Sequence, residues 1–364
     1  MMKLPPLQSH HRSFFYFHNM KHSLFGSIVC AFACNILLAA CHSDETSFSV
    51  IPSSDPTIVW QRPHTYFLGY KGAIRSVEEY KQFTEDGENY DTDIIRTEFD
   101  AYGQITHYNP TGTPSARWIG MATESYYYEY DIHHRINKAE TKMQEETIST
   151  YTFHYGSDTR FYPLPCTIGE IPLLMVQGLI DVQSNDENFK VTITNDNITY
   201  TTTENTWRGT LVHQNTFNYA PNSLFPKECI KTTSRNDEVL SKEITSYTFD
   251  EEGWLTATDI KIYENNELIE KQQVHYHPSI PLSPQHKQVI SADGITSNWE
   301  YEYDENDWQS RVLYQQEETE ERELYQYHKI DKQGNWYEGE FTWNERVNPA
   351  HWLQTFRIYR NITY

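Results

Sequence analysis

The sequence predicts an all-β protein: an antiparallel meander of hairpin repeats forming a curved, twisted sheet or partial barrel. Three observations carry this reading. The chain is 15% aromatic, with 27 Tyr among 364 residues, and Tyr, Trp and β-branched side chains pack best on pleated, half-buried surfaces. A short motif recurs in which an aromatic or apolar residue is followed by Asp and then, three places on, by Gly: Asp100 with Gly103, Asp250 with Gly253, Asp331 with Gly334. Two further copies, at Asp131 and Asp304, carry His134 and Asp307 at the Gly position.

The motif reads as a tight reversal. Asp at the first position of a type I turn accepts hydrogen bonds from amides ahead of it, and Gly at the fourth takes the left-handed conformation of a bulged hairpin. Asp and His both tolerate positive φ, so the two exceptions fit. Tyr301 and Tyr303, just before Asp304, are two apart and share one face of a strand. These Asp residues are therefore turn formers and not catalytic acids.

Each Asp turn leads through two more strands to a closing Tyr, reached after 24 residues from Asp131, 26 from Asp250, 23 from Asp304 and 28 from Asp331. A degenerate copy runs from Asn195-Asp196 to Tyr219. A period of this size predicts an array of hairpins, each covering its neighbour's edge. Two stretches interrupt the array. Residues 160–184 hold Pro163, Pro165 and Pro172 and then Leu173-Leu174-Met175-Val176, which predicts one short helix near 168–180. Residues 277–287 hold Pro278, Pro281 and Pro284 and predict a loop.

The amino terminus predicts export. Lys21 and His22 precede an apolar run from Leu24 to Ala40 that ends Leu38-Ala39-Ala40-Cys41. A basic start, a short apolar core and small residues at the end describe a cleaved signal and not a spanning helix. Either Met1 or Met20 serves as the start. The expected organisation is a signal peptide over 1–40, a Pro-, Ser- and Thr-containing tether over 41–63 and the β-repeat domain over 64–364.

Charge excludes one partner class. The formal charge is −22, and residues 1–40 contain three basic groups and no acid. A surface this acidic repels nucleic acid. Beyond the export signal two cysteines matter, Cys166 and Cys229, each after a proline-containing segment that follows a strand ending in Tyr155 or Tyr219. They form either a disulfide, which an exported protein permits, or two separate buried thiols.

No nucleophile elbow, phosphate-binding glycine loop or dinucleotide fingerprint is present, and the chain is expected not to be an enzyme and to hold no cofactor. His275 and His277 share a strand face but lack a third ligand, and Asp304, Asn306 and Asp307 lack a full calcium loop, so no metal is assigned. Trp254, Trp308 and Trp336 follow their turns at nearly equivalent places. One reading is a ladder of cross-strand aromatic pairs. The other is an exposed aromatic platform on which a glycan or a protein partner would stack.

The Leu-Ala-Ala-Cys ending resembles the lipobox of bacterial lipoproteins, which implies cleavage before Cys41, lipidation of its thiol and attachment to a membrane. His42-Ser43-Asp44-Glu45 is similar to the surface-export signal of Bacteroidota lipoproteins and implies an outer-membrane lipoprotein facing outward. The pattern at 247–255, and more loosely at 97–105, 128–136 and 301–309, resembles the YD repeat of RHS-type proteins. Leu68 to Val77 and Asp331 to Trp336 are similar to the first and last segments of Bacteroidota lipoproteins that carry such repeats. That resemblance implies a β-repeat fold without a defined activity. The expected role is a lipid-anchored, non-enzymatic binding or structural module. The alternatives are an envelope-assembly or transport accessory sheltering an apolar ligand in an open barrel and, last, a surface hydrolase.

Overall fold

A computed structural model describes residues 60–85, 88–111, 124–144, 146–166, 168–169, 171–250, 252–317, 319–345 and 353–364. The expected signal peptide, Cys41 and nearly all of the tether lie outside the described residues. Within them the chain is a meander of 22 strands with one four-residue helix, α1 (His64–Phe67).

The strands run in chain order around a ring. The first group is β1 (Ser76–Glu85), β2 (Glu88–Phe99), β3 (Ile105–Thr111), β4 (Glu124–Tyr130), β5 (Ile136–Met143) and β6 (Glu146–Tyr155). A short inserted hairpin follows, β7 (Phe161–Pro163) and β8 (Met175–Gln177), and then β9 (Leu179–Ser184), β10 (Phe189–Ile193) and β11 (Asn197–Thr206). Next come β12 (Gly209–Tyr219), β13 (Pro226–Arg235), β14 (Glu238–Phe249), β15 (Leu255–Glu264), β16 (Glu267–Tyr276) and β17 (Pro284–Ser291). The last five are β18 (Thr296–Tyr303), β19 (Gln309–Gln316), β20 (Thr319–Ile330), β21 (Trp336–Glu345) and β22 (Leu353–Thr363).

All except β7 and β8 join one 20-stranded antiparallel sheet. The pairing runs unbroken from β10 to β22, crosses from β22 to β1 over Ser76↔Thr363 to Phe83↔Phe356, and continues through β6 to β9. The break falls between β9 and β10, which the turn at 185–188 joins. The result is a nearly closed barrel whose seam lies mid-chain.

Five chain reversals at one end share one geometry. In each, the Asp N–H donates to the carbonyl four residues on, and the N–H three residues on donates back to the Asp carbonyl, at 2.7–3.2 Å. One carboxylate oxygen accepts from the amides two and four residues ahead; for Asp304 these are Asn306 at 2.8 Å and Trp308 at 3.0 Å. The fourth residue is left-handed in every copy, with φ of 80° at Gly103, 82° at Gly253 and 89° at Gly334, and 60° and 65° at His134 and Asp307. A register shift precedes each Asp, as between Glu302 and Tyr303, so the reversal is a bulged hairpin.

The residue before the turn is buried or half-buried in four copies and exposed at Ile330, and where it is Tyr its hydroxyl has a fixed partner. Tyr130 donates to the Ile105 carbonyl at 2.6 Å and Tyr303 to the Pro284 carbonyl at 2.6 Å. Tyr155 does the same to Ile136. In each case the acceptor opens the strand with which the Tyr-bearing strand forms a hairpin. Tyr327 reaches Gln309 at 2.8 Å in the same manner.

The turn end of the barrel is filled. Residues 60–75 and the β7–β8 hairpin fold inward, with Phe161, Tyr162 and Met175 fully buried in the larger of two cores. Tyr200 and Tyr219 donate to the Pro163 and Phe161 carbonyls at 2.6 and 2.8 Å, so the plug hangs on barrel side chains. Gly178, at φ 73°, lets the plug rejoin the wall, since a Cβ there would lie 2.8 Å from the Asp158 carbonyl. A smaller core gathers Trp308, Val312, Tyr325, Trp336, Phe341 and Ile358.

The expected helix near 168–180 is absent. That stretch holds an isolated bridge between Ile168 and Ile171 followed by β8 and the start of β9, and the one short helix lies at His64–Phe67. A four-residue apolar run flanked by prolines is too short for its period to distinguish buried strand from buried helix. The expected loop at 277–287 is shorter, because Pro284 already opens β17.

The outer face is polar. Lys271, Gln273 and His275 on β16, Asp259 and Lys261 on β15, and Arg322, Gln326 and His328 on β20 are exposed. A barrel wall facing lipid carries an apolar band in those places.

One substitution tests the turn. Asp304→Ala removes the acceptor of two amides and is expected to lower unfolding stability by about 1–2 kcal/mol, whereas Asp304→Asn keeps an acceptor oxygen and loses less. Urea unfolding monitored by Trp fluorescence reads this; equal stability of Asp304→Ala and the parent would refute the role assigned to the carboxylate.

Candidate ligand cavity

Where the plug meets the wall it leaves a half-open cavity of about 670 Å³ at the turn end, within the range of small-molecule sites. Its floor is apolar, made by Ile136 at the start of β5 and by Phe161, Leu174, Met175 and Val176 of the plug. Trp60 closes one side, held by its indole N–H donating 2.9 Å to the Gly253 carbonyl and stacked on Phe67 at 5.9 Å. Exposed Ile132 stands at the mouth, and Tyr102 stacks on His134 beside it.

Two buried polar side chains line the cavity. His64, 4% exposed, accepts the Ile105 N–H through Nδ1 at 3.1 Å. That bond puts the imidazole proton on Nε2, and the residue lines the cavity. Burial lowers the His64 pKa to about 3, so the ring is neutral at ordinary pH. Gln104 is 5% exposed, and its Oε1 is buried without a partner.

The rim is cationic in an acidic protein. The Arg62 guanidinium lies 4.2 Å over the Tyr66 ring and makes no ion pair with described residues. Arg135 is already engaged: Nε and Nη2 both donate to Asp131 Oδ2, at 2.9 and 2.8 Å, and its plane lies 4.1 Å over Tyr155. Burial alone would raise the Asp131 pKa, but hydrogen bonds from Arg135 and the His133 amide hold it below the usual range. Among the described residues no Asp, Glu, Ser, Thr or Cys lines the cavity.

Of the residues singled out from the sequence, His134, Leu174, Met175 and Val176 line the cavity. Asp131 supports the cavity through Arg135, while Asp100, Asp250, Asp304 and Asp331 with Gly103, Gly253 and Gly334 sit at the reversals described above. The disulfide is absent: Cys166 and Cys229 are separate thiols. Their proline segments are not equivalent, because 163–166 turns inward with the plug while Pro226 to Cys229 lies within β13. Burial pushes both thiols up to about 12.

The aromatic platform is also absent. Trp308 and Trp336 are 1% and 2% exposed within the smaller core, packed on either side of Tyr327 at 4.9 and 5.1 Å. Trp254 is half-buried against Tyr66. The residues after each turn face inward, which makes this the cross-strand ladder. His275 stacks with His286 across strands and His277 Nδ1 contacts Ser279, so the two do not converge. Sequence reasoning missed Trp60, His64 and Gln104. Only the Pro63–His64 boundary, where the tether was expected to end, marks their neighbourhood.

No family model matches this chain, and no curated protein sequence matches it. Among solved structures, a porin-like protein from Bacteroides uniformis aligns with 9% identity over 81% of this chain and 98% of its own, at a TM-score of 0.36. A porin-like protein from Bacteroides vulgatus aligns with 10% identity over 67% of this chain and 92% of its own, at 0.24. The Photorhabdus luminescens Tc holotoxin pore aligns with 9% identity over 78% of this chain and 18% of its own, at 0.17. At these scores none of them fixes the role of this chain.

His64 sets a pH dependence. Its folded pKa lies below the ordinary histidine value of about 6.5, so the unfolded chain binds the proton first. Stability from this group is fully present above pH 6.5 and is lost as pH falls toward 3, by up to about 1.4 kcal/mol per pH unit. His64→Gln keeps an acceptor for the Ile105 N–H and does not titrate. Unfolding midpoints between pH 7.5 and 4.5 should fall less steeply in that variant than in the parent; parallel curves would remove His64 from the account.

Proposed function

We propose that this protein is a lipid-anchored, non-enzymatic binding protein of the cell envelope that holds a small ligand in the cavity at the plugged end of its barrel. The observation that carries the reading is the cavity, lined by apolar side chains and by two buried polar ones, neutral His64 and Gln104, whose Oε1 has no partner among the described residues. A buried acceptor without a partner costs about 1–3 kcal/mol, and a ligand donor would recover that cost. Binding is favoured over hydrolysis because the described lining holds no Ser, Thr, Cys, Asp or Glu, and its one phenol, Tyr130, donates to the Ile105 carbonyl.

Envelope location rests on the sequence. The Leu38-Ala39-Ala40-Cys41 ending supports lipidation at Cys41, and the polar outer face of the strands supports a barrel tethered beside a membrane and not spanning it. The resemblance of the Asp turns to YD repeats of Bacteroidota lipoproteins supports the same placement, facing outward from the outer membrane. The apolar floor favours one variant of this role, a transport or assembly accessory that shelters an apolar ligand body.

Two measurements test the reading. Cys41→Ala should abolish incorporation of labelled palmitate and release the protein from the membrane fraction; unchanged retention would refute the anchor. In a thermal-shift screen of small molecules, ligands of this site should raise the midpoint of the parent and not that of Gln177→Trp, which blocks the mouth. A panel in which every shift is identical in the two proteins would refute the cavity as the binding site.

A further inference from the structure

Resting on the binding role proposed for this cavity, we infer that its ligand is a small organic carboxylate with an apolar body. The argument starts from charge. The protein carries 51 acidic against 29 basic residues, yet the cavity lining holds two Arg and three His and no acid. Of the two Arg, Arg135 is neutralised by two hydrogen bonds to Asp131, which leaves Arg62 as the guanidinium without an ion pair among the described residues. It lies over Tyr66 and makes no ion pair with described residues, and its guanidinium is the fork that recognises carboxylate best.

The deeper groups fit the same ligand. His64 stays neutral and presents Nε2–H, a donor without a competing positive charge. Gln104 adds an amide that exchanges donor for acceptor by a half turn about its terminal bond. Beside these polar groups Leu174, Val176 and the exposed Ile132 offer hydrocarbon surface, backed by the buried side chains of Ile136, Phe161 and Met175. A fully polar anion such as inorganic phosphate would leave that floor covered by displaced or trapped water, and an uncharged hydrocarbon would leave Arg62 and His64 without partners. A carboxylate on an apolar chain or ring satisfies both.

The test uses the full-length protein and a matched pair of probes, octanoate and 1-octanol, measured by isothermal titration at pH 7.5. Octanoate should bind at least about tenfold more tightly than octanol. Raising the salt from 50 to 500 mM should weaken octanoate alone. Arg62→Gln should cut octanoate affinity about tenfold or more and leave octanol unchanged. Because Arg62 is partly exposed, that variant is expected to fold, and an unchanged unfolding midpoint confirms it. Equal affinity for the two probes, or loss of both in Arg62→Gln, overturns the carboxylate inference while leaving the cavity as a binding site. Binding of neither probe overturns the inference as well, and the Gln177→Trp comparison then decides separately whether the cavity binds anything.

Discussion

The pairing of β1 with β22 is the constraint on which the rest of the structure depends. It turns a ribbon of hairpins into a ring, and the ring gives the plug a wall to pack against. Three contacts reinforce the junction. Arg360 on β22 donates to Glu79 on β1 at 2.8 Å while lying 3.6 Å over Trp336, so a buried ion pair and an aromatic face share one guanidinium. Asn335, in the last Asp turn, accepts from the Lys71 amide at 2.8 Å and donates to the Lys71 carbonyl at 2.7 Å. Tyr364 in turn donates to Asp331. Breaking a buried ion pair of this kind by removing one partner costs roughly 3–5 kcal/mol, so the closure is held by specific chemistry as well as by the ladder.

Plug and cavity follow from that closure. Ten strands run toward the turn end, and a ring this wide cannot fill its own interior with side chains. The chain supplies the filling from two places, the segment before β1 and the insertion between β6 and β9. Where the two fillers and the 131–135 turn meet, the fit is incomplete and the cavity remains. His64 and Gln104 are buried there because α1 must pack under the Asp100 turn, where the Thr65 amide donates to Gly103 at 3.0 Å.

Much of the wall was legible in the sequence, and the reason is local. An Asp turn is specified by five consecutive residues, and the aromatic residue before it sets which strand face points inward. That is why His134 and Asp307 could be placed at positive φ without a structure. What was not legible depends on long-range packing. Leu173 to Val176 is buried by the barrel on one side and the α1 segment on the other, so no periodicity marks it as strand. Cys166 and Cys229 follow similar prolines, yet one lies in the filling and the other in the wall. The inward direction of Trp308 and Trp336 follows from strand alternation only once the bulge before each turn is counted. His64 gave no signal, because a single histidine near a proline acquires meaning only when Ile105 arrives from the other side of a hairpin.

The most direct test of ring closure is amide hydrogen exchange along the two strands that make it. Paired on both sides, every amide from Val77 to Gln82 and from Phe356 to Ile362 should exchange as slowly as those of β14 in the opposite wall. Without that pairing alternate amides of both strands would exchange within seconds to minutes while β14 stayed protected, and that alternation would contradict the β1–β22 junction of the nearly closed barrel.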